Sequence, residues 1–229
     1  MASIPDYRSF DINSITVSAP KELKFVNVFD VKTSEGKPVI VVSPKLRLSM
    51  GIFAVDFGDS KFRKGQRVND VANATKVTLP LSVDLPGEDG YGFLEFMSYV
   101  DARLKQLIYD NASKWFKKDD VRFITMNIND LFTPSVKPAE KYPALFSPKI
   151  SINEDKITTV FFDEHGTFIP DPINFVQQNN MAKVAFEITG INQVASSMKF
   201  YVNVKAVQVK VFPSENDSNM YEQTVTCMI

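Results

Sequence analysis

Residues 181–212 read MAKVAFEITGINQVASSMKFYVNVKAVQVKVF. Val184, Phe186 and Ile188 alternate with Ala185, Glu187 and Thr189, and Phe200, Val202, Val204 and Ala206, then Val209 and Val211, repeat the pattern after a polar interruption. Period-two alternation places one row of side chains on a buried face and the other in solvent, which is the mark of a strand with one face in the core. The stretch predicts two long antiparallel strands turning within residues 190–197. Strands much longer than the usual five or six residues wrap small barrels and sandwiches. The fold is therefore expected to be mainly β, with an antiparallel sheet curled on itself.

Outward from that stretch, three segments extend the β reading. Leu23–Val31 and Pro38–Val42 are expected to form a hairpin across Ser34-Glu35-Gly36-Lys37, and Lys76–Val83 carries Val77, Leu79, Leu81 and Val83 on one face. Phe146–Ile152 and Ile157–Phe162 read as a further pair around Asn153-Glu154-Asp155. One helix interrupts the strands, about 91–112, where Phe93, Phe96, Met97, Val100, Leu104, Leu107 and Ile108 recur at spacings of three and four, with Asp89 as its expected N-cap. Val121–Ile128 alternates. Residues 1–20 read as an N-terminal arm, 21–212 as a single domain and 213–229 as a C-terminal tail.

Composition narrows the function more by exclusion than by signal. The chain has 229 residues, 44% of them apolar with 19 Phe, enough for a sizeable core. Lysine and arginine number 26 against 27 acidic residues, a net charge of −1, so any affinity for a polyanion must come from local patches. Cys227 is the sole cysteine and His165 the sole histidine, which leaves no Cys- or His-rich metal centre and no intramolecular disulfide. A reducing, intracellular setting is the expectation, with no membrane span and no secretion signal at the N-terminus. Asp163-Glu164-His165-Gly166 reads as a solvated turn, and Gly87–Gly92 lacks phosphate-loop spacing. No catalytic residue, metal or cofactor is expected.

Binding remains, and single strands are held by a cationic groove with aromatic faces on which bases stack. Three stretches interleave those residue types. They are Lys61, Phe62, Arg63 and Lys64 with Arg67, then Lys114, Trp115, Lys117 and Lys118, and finally Lys137 with Lys141 and Tyr142. The lysines and arginines are the expected backbone contacts and Phe62, Trp115 and Tyr142 the expected stacking faces.

Four segments, in order, carry a family resemblance. Val41-Val42-Ser43-Pro44-Lys45-Leu46-Arg47-Leu48-Ser49-Met50-Gly51-Ile52, then Asn111–Lys118 around Trp115-Phe116-Lys117-Lys118, then Phe132–Lys137 with Lys141-Tyr142-Pro143, then Ile188–Ile191 with Ala206–Val211 together resemble the predicted single-stranded DNA-binding proteins of nucleocytoplasmic large DNA viruses, a group related to the phage T7 type. The resemblance covers roughly residues 25–212. It implies an OB-fold-like closed or partly open antiparallel barrel with an embedded helix, and non-enzymatic, sequence-nonspecific binding of single-stranded DNA in viral replication, recombination or repair. It also implies viral replication proteins and further copies of the chain as partners, and a place at replication sites in host cytoplasm or nucleus, or in the virion. Residues 213–229 hold only Glu215, Asp217 and Glu222, whereas the T7-type proteins end in a strongly acidic tail. The alternative is a viral structural or scaffolding β protein acting through protein contacts.

Overall fold

The computed structural model describes residues 4–55, 65–67, 74, 76–83, 88–138, 140–153 and 156–214. Its centre is a long antiparallel hairpin, a first strand Met181–Val194 and a second strand Phe200–Phe212, paired from Met181↔Phe212 to Gln193↔Phe200. The first strand runs five residues further than the alternation suggested, taking in Gly190–Gln193 after register shifts at Ala185/Phe186 and Ile188/Gly190, so the turn falls at 195–199. Each shift leaves an unpaired residue and sharpens the local twist. Gly190 is required where the chain crosses closest: a Cβ there would lie 2.5 Å from the Phe29 carbonyl oxygen.

Six shorter strands pair directly onto this hairpin. Val26–Thr33 and Val39–Val42 both lie antiparallel to the first strand, the former along 190–194 and the latter along 185–188. They sit end to end on one edge; between themselves they share only the Lys32↔Pro38 bridge, so the expected hairpin ladder does not form. Leu46–Leu48 continues that edge at Met181 and Ala182. The outer edge of the second strand takes Phe132–Thr133, Lys149–Ile150 and Val160–Phe162, all parallel to it.

The sheet is therefore mixed and branched: the expected purely antiparallel pairing is corrected by the parallel strands on the outer edge, and the described ladders trace no closed barrel. Its two arms come together in residues 76–83. Lys76–Thr78 pairs with Lys149–Ile150 and with Phe53–Val55, whereas Leu81–Ser82 pairs with Leu46–Leu48 and Leu145–Phe146. Pro80, which has no N–H to donate, separates the two short ladders and breaks the single strand read from the alternation.

Two helices cover one face. α1 spans Glu88–Trp115 and α2 spans Lys118–Leu131. α1 is longer than expected at both ends, and Asp89 lies inside its first turn, paired to Arg8, rather than capping it. α2 replaces the alternating segment read at Val121–Ile128. Ile124 and Leu131 are buried and Ile128 packs beside them, a helical spacing, while Phe123 and Met126 stay exposed. Between helices and sheet, Phe93, Phe146, Phe186 and Tyr7 meet edge to face at centroid distances of 5.0–5.9 Å. The N-terminal arm is built in: Ile15–Val17 pairs with Val31–Thr33, and Ile15 and Tyr7 are buried.

Candidate nucleic-acid interface

The outer edge of the second strand and the strands paired to it form a surface groove of about 260 Å³. Lys76, Lys137 and Lys149 reach it from three different strands, Thr133-Pro134-Ser135 form one wall, and Tyr201 and Asn203 of the second strand form the floor. Strand alternation explains the floor. Phe200 and Val204 point into the core, so Tyr201 and Asn203 point out, and Tyr201 keeps 39% of its surface exposed.

Electrostatically the groove is cationic and uncompensated. None of its three lysines forms an ion pair with a described carboxylate. Burial lowers the Lys76 ammonium below its usual range, and repulsion from Lys137 and Lys149 lowers it further. Burial also lowers Lys149, whose Nζ donates to Asn203 Oδ1 at 2.8 Å. Two partly desolvated cations, Lys76 and Lys149, with the exposed Lys137 beside them, raise the energy of the free protein, and an anion lying among them relieves it.

The wall is held from behind. Asp101 of α1 is buried, and its carboxylate accepts from Ser135 N at 2.8 Å and Ser135 Oγ at 2.5 Å. Burial raises this carboxyl to about 6 against the opposing effect of the Ser135 bonds. The bonds fix the 133–137 turn, which sets where Lys137 stands.

The sequence-derived candidates divide three ways. Lys137 lines the groove, and Lys141 and Tyr142, the latter 76% exposed, lie in the connection between Val136–Lys137 and Leu145–Phe146, two strands that border it. Lys114, Lys117 and Lys118 are exposed at the junction of α1 and α2, but they do not line the groove. Trp115 and Phe116 there pack on Phe29 at 5.7 and 6.1 Å, and Phe116 on Phe200 at 6.3 Å, so the half-buried indole is a core contact in this arrangement and the stacking face expected of it is taken up by packing. Lys61, Phe62, Arg63 and Lys64 lie outside the described residues, as does the side chain of Arg67. Lys76, Lys149 and Tyr201 are the residues that the sequence reading missed. They are single positions on strands more than 50 residues apart, and no local motif marks them.

Among the described residues no cluster of three His, Cys, Asp or Glu could hold a metal, and no helix is long and apolar enough to cross a membrane. Fold and groove together define a mainly β protein with a large mixed sheet, a helical cover and a cationic surface groove. The sequence matches no family model and no curated protein sequence. Among solved structures, the fold aligns with that of gp2.5, a single-stranded DNA-binding protein encoded by bacteriophage T7, with a TM-score of 0.43 and 13% identity over 76% of this chain and 91% of that one. The likeness is distant, and the interface rests on its own geometry.

Proposed function

We propose that this protein binds single-stranded DNA without catalysis and with little sequence preference, along the groove of Lys76, Lys137, Lys149 and Tyr201. The observation that carries the reading is the convergence of three lysines, none ion-paired with a described carboxylate and two of them partly desolvated, beside a strand that presents an exposed tyrosine. Phosphates neutralise such lysines and release counterions, and an aromatic face holds a base of any identity. Lys141 and Tyr142 extend the contact at the rim, and Lys114, Lys117 and Lys118 are held as secondary backbone contacts. The sequence resemblance supports the same chemistry and adds its setting: replication, recombination or repair of a large DNA virus, in host cytoplasm or nucleus or in the virion, alongside viral replication proteins and further copies of the chain.

The test is the anisotropy of a labelled oligo-dT titrated at about 50 and about 200 mM salt. Binding at low salt that weakens about tenfold or more at the higher salt is expected, and Lys76→Gln/Lys137→Gln/Lys149→Gln is expected to abolish most of it. No binding at low salt sinks the reading. A structural or scaffolding role is the second reading. It rests on Phe123 and Met126, which α2 leaves exposed side by side, and it predicts self-association or protein capture with no oligonucleotide binding.

A further inference from the structure

A second cationic cluster stands at the far end of the same strand. Lys183 and Lys210 are directly paired across the hairpin, with Phe162 next in register. The adjoining row is Arg47, Met181 and Phe212. Burial alternates around them, Leu46, Ala182, Val209 and Val211 being buried, so these side chains share the outer face. Lys45 joins from just before Leu46, its ammonium 3.8 Å from the centroid of the Phe212 ring, and Lys210 stands 5.7 Å from the same ring. Two of the four cations thus stand over one aromatic ring, and Lys183 and Arg47 adjoin them in register. Among the described ion pairs a single carboxylate answers them, Asp6, 3.9 Å from Lys183. Like charges directly opposite on neighbouring strands destabilise a sheet. The ring face answers Lys45 and, at longer range, Lys210, and Asp6 answers Lys183, which still leaves the four cations with an excess of positive charge.

The outer row of the second strand connects this cluster to the groove. Tyr201, Asn203 and Lys205 point outward; the register shift that pairs Phe186 with Ala206 but Ala185 with Gln208 restores the row as Gln208, Lys210 and Phe212. The row spans about 35 Å at about 3.3 Å per residue. The row itself carries no carboxylate, Glu187 of the first strand standing opposite Lys205, and both ends have an aromatic ring beside lysines. We infer that Lys45, Lys183 and Lys210 form a second phosphate-binding site, and that a single strand seated in the groove runs along the outward row of Phe200–Phe212 to reach it. This rests on the groove reading and fixes the path and length of the bound strand, within the roughly 4–16 nucleotides that one such module covers.

The test compares the unaltered protein with Lys45→Gln/Lys183→Gln/Lys210→Gln and with the corresponding triple arginine variant, using a labelled dT oligomer of about 16 nucleotides across a salt series. Thermal melts of each confirm folding. Loss of three phosphate contacts, each worth about 0.7 in the slope of log affinity against log salt, is expected to flatten the slope of the glutamine variant by about 2. Its low-salt affinity is expected to fall at least tenfold, and the arginine variant to retain both slope and affinity. An unchanged slope and affinity in the glutamine variant, while Lys76→Gln/Lys137→Gln/Lys149→Gln loses binding, overturns this site alone. Equal weakening by glutamine and arginine also overturns it, because charge is then not what the cluster supplies. Absence of binding by the unaltered protein overturns the groove and this site together.

Discussion

If Lys76 binds phosphate as proposed, binding and stability oppose each other at this one residue. Its ammonium is held in a partly buried position beside Lys137 and Lys149, so the folded state disfavours its charge. The folded pKa lies below the unfolded one; the cost is present while the group is charged in both states and is relieved as pH rises through the folded value. Lys76→Met is accordingly expected to raise the melting temperature while lowering oligo-dT affinity; a variant that melts lower and binds unchanged contradicts both halves. Gly190 is constrained in the opposite sense. Any Cβ there meets the Phe29 carbonyl at 2.5 Å, backbone that cannot move without parting two strands. Gly190→Ala is expected to cost about 1–3 kcal/mol in urea unfolding, as overpacking does. Trp115, packed on Phe29, gives a third expectation. Its emission stays nearly constant while oligo-dT anisotropy rises, and a strong quench on binding would return it to the interface.

Between elements, the Asp101–Ser135 contact couples α1 to the groove wall, and its pH dependence is fixed in sign. The carboxyl titrates near its ordinary 3.8 in the unfolded chain and at about 6 when buried. The folded state therefore binds the proton more tightly: the contribution is full below pH 4 and is lost as pH rises through 6. A shift of about two units corresponds to about 3 kcal/mol, an order-of-magnitude figure. Asp101→Asn is expected to remove the decline in stability between pH 4 and pH 7, and curves for parent and variant that run parallel would assign the decline elsewhere. For α2, Ile124→Ala is expected to cost about 2–5 kcal/mol because Ile124 is fully buried. Met126→Ala, at an exposed position, is expected to stay within about 0.5 kcal/mol. The contrast explains what the sequence made legible. The 181–212 hairpin could be read because thirteen- and fourteen-residue strands sample the period many times. Val121–Ile128 could not, since Val121, Phe123, Ile124, Met126 and Ile128 fit a strand and a helix almost equally over eight residues. The groove was legible only at Lys137, which sits in a motif. Lys149 pairs with Thr78, which puts Lys76 diagonally beside it on the same face, and that register is a property of the assembled sheet.

For the whole molecule, the net charge of −1 sets how binding must work. Fields from 26 basic and 27 acidic residues largely cancel beyond a Debye length of about 10 Å, so there is no long-range attraction for a polyanion in general. On the proposed function, affinity arises from strands that reach into the groove and lay phosphates among Lys76, Lys137 and Lys149 while a base covers Tyr201. A duplex offers the phosphates but keeps its bases stacked inside, and it is too stiff to follow a twisted strand; bending it costs energy that a flexible single strand does not incur. Stacking is worth about 1–3 kcal/mol per base, so its loss alone lowers affinity by roughly five- to 150-fold. Competition against labelled oligo-dT is therefore expected to require at least a tenfold higher concentration of duplex than of unlabelled single strand of equal length. Tyr201→Ala should narrow that gap from the single-strand side, because only the single strand loses a contact. Equal competition by duplex and single strand, unaffected by Tyr201→Ala, would mean that the groove reads charge alone and that its tyrosine is no platform for a base.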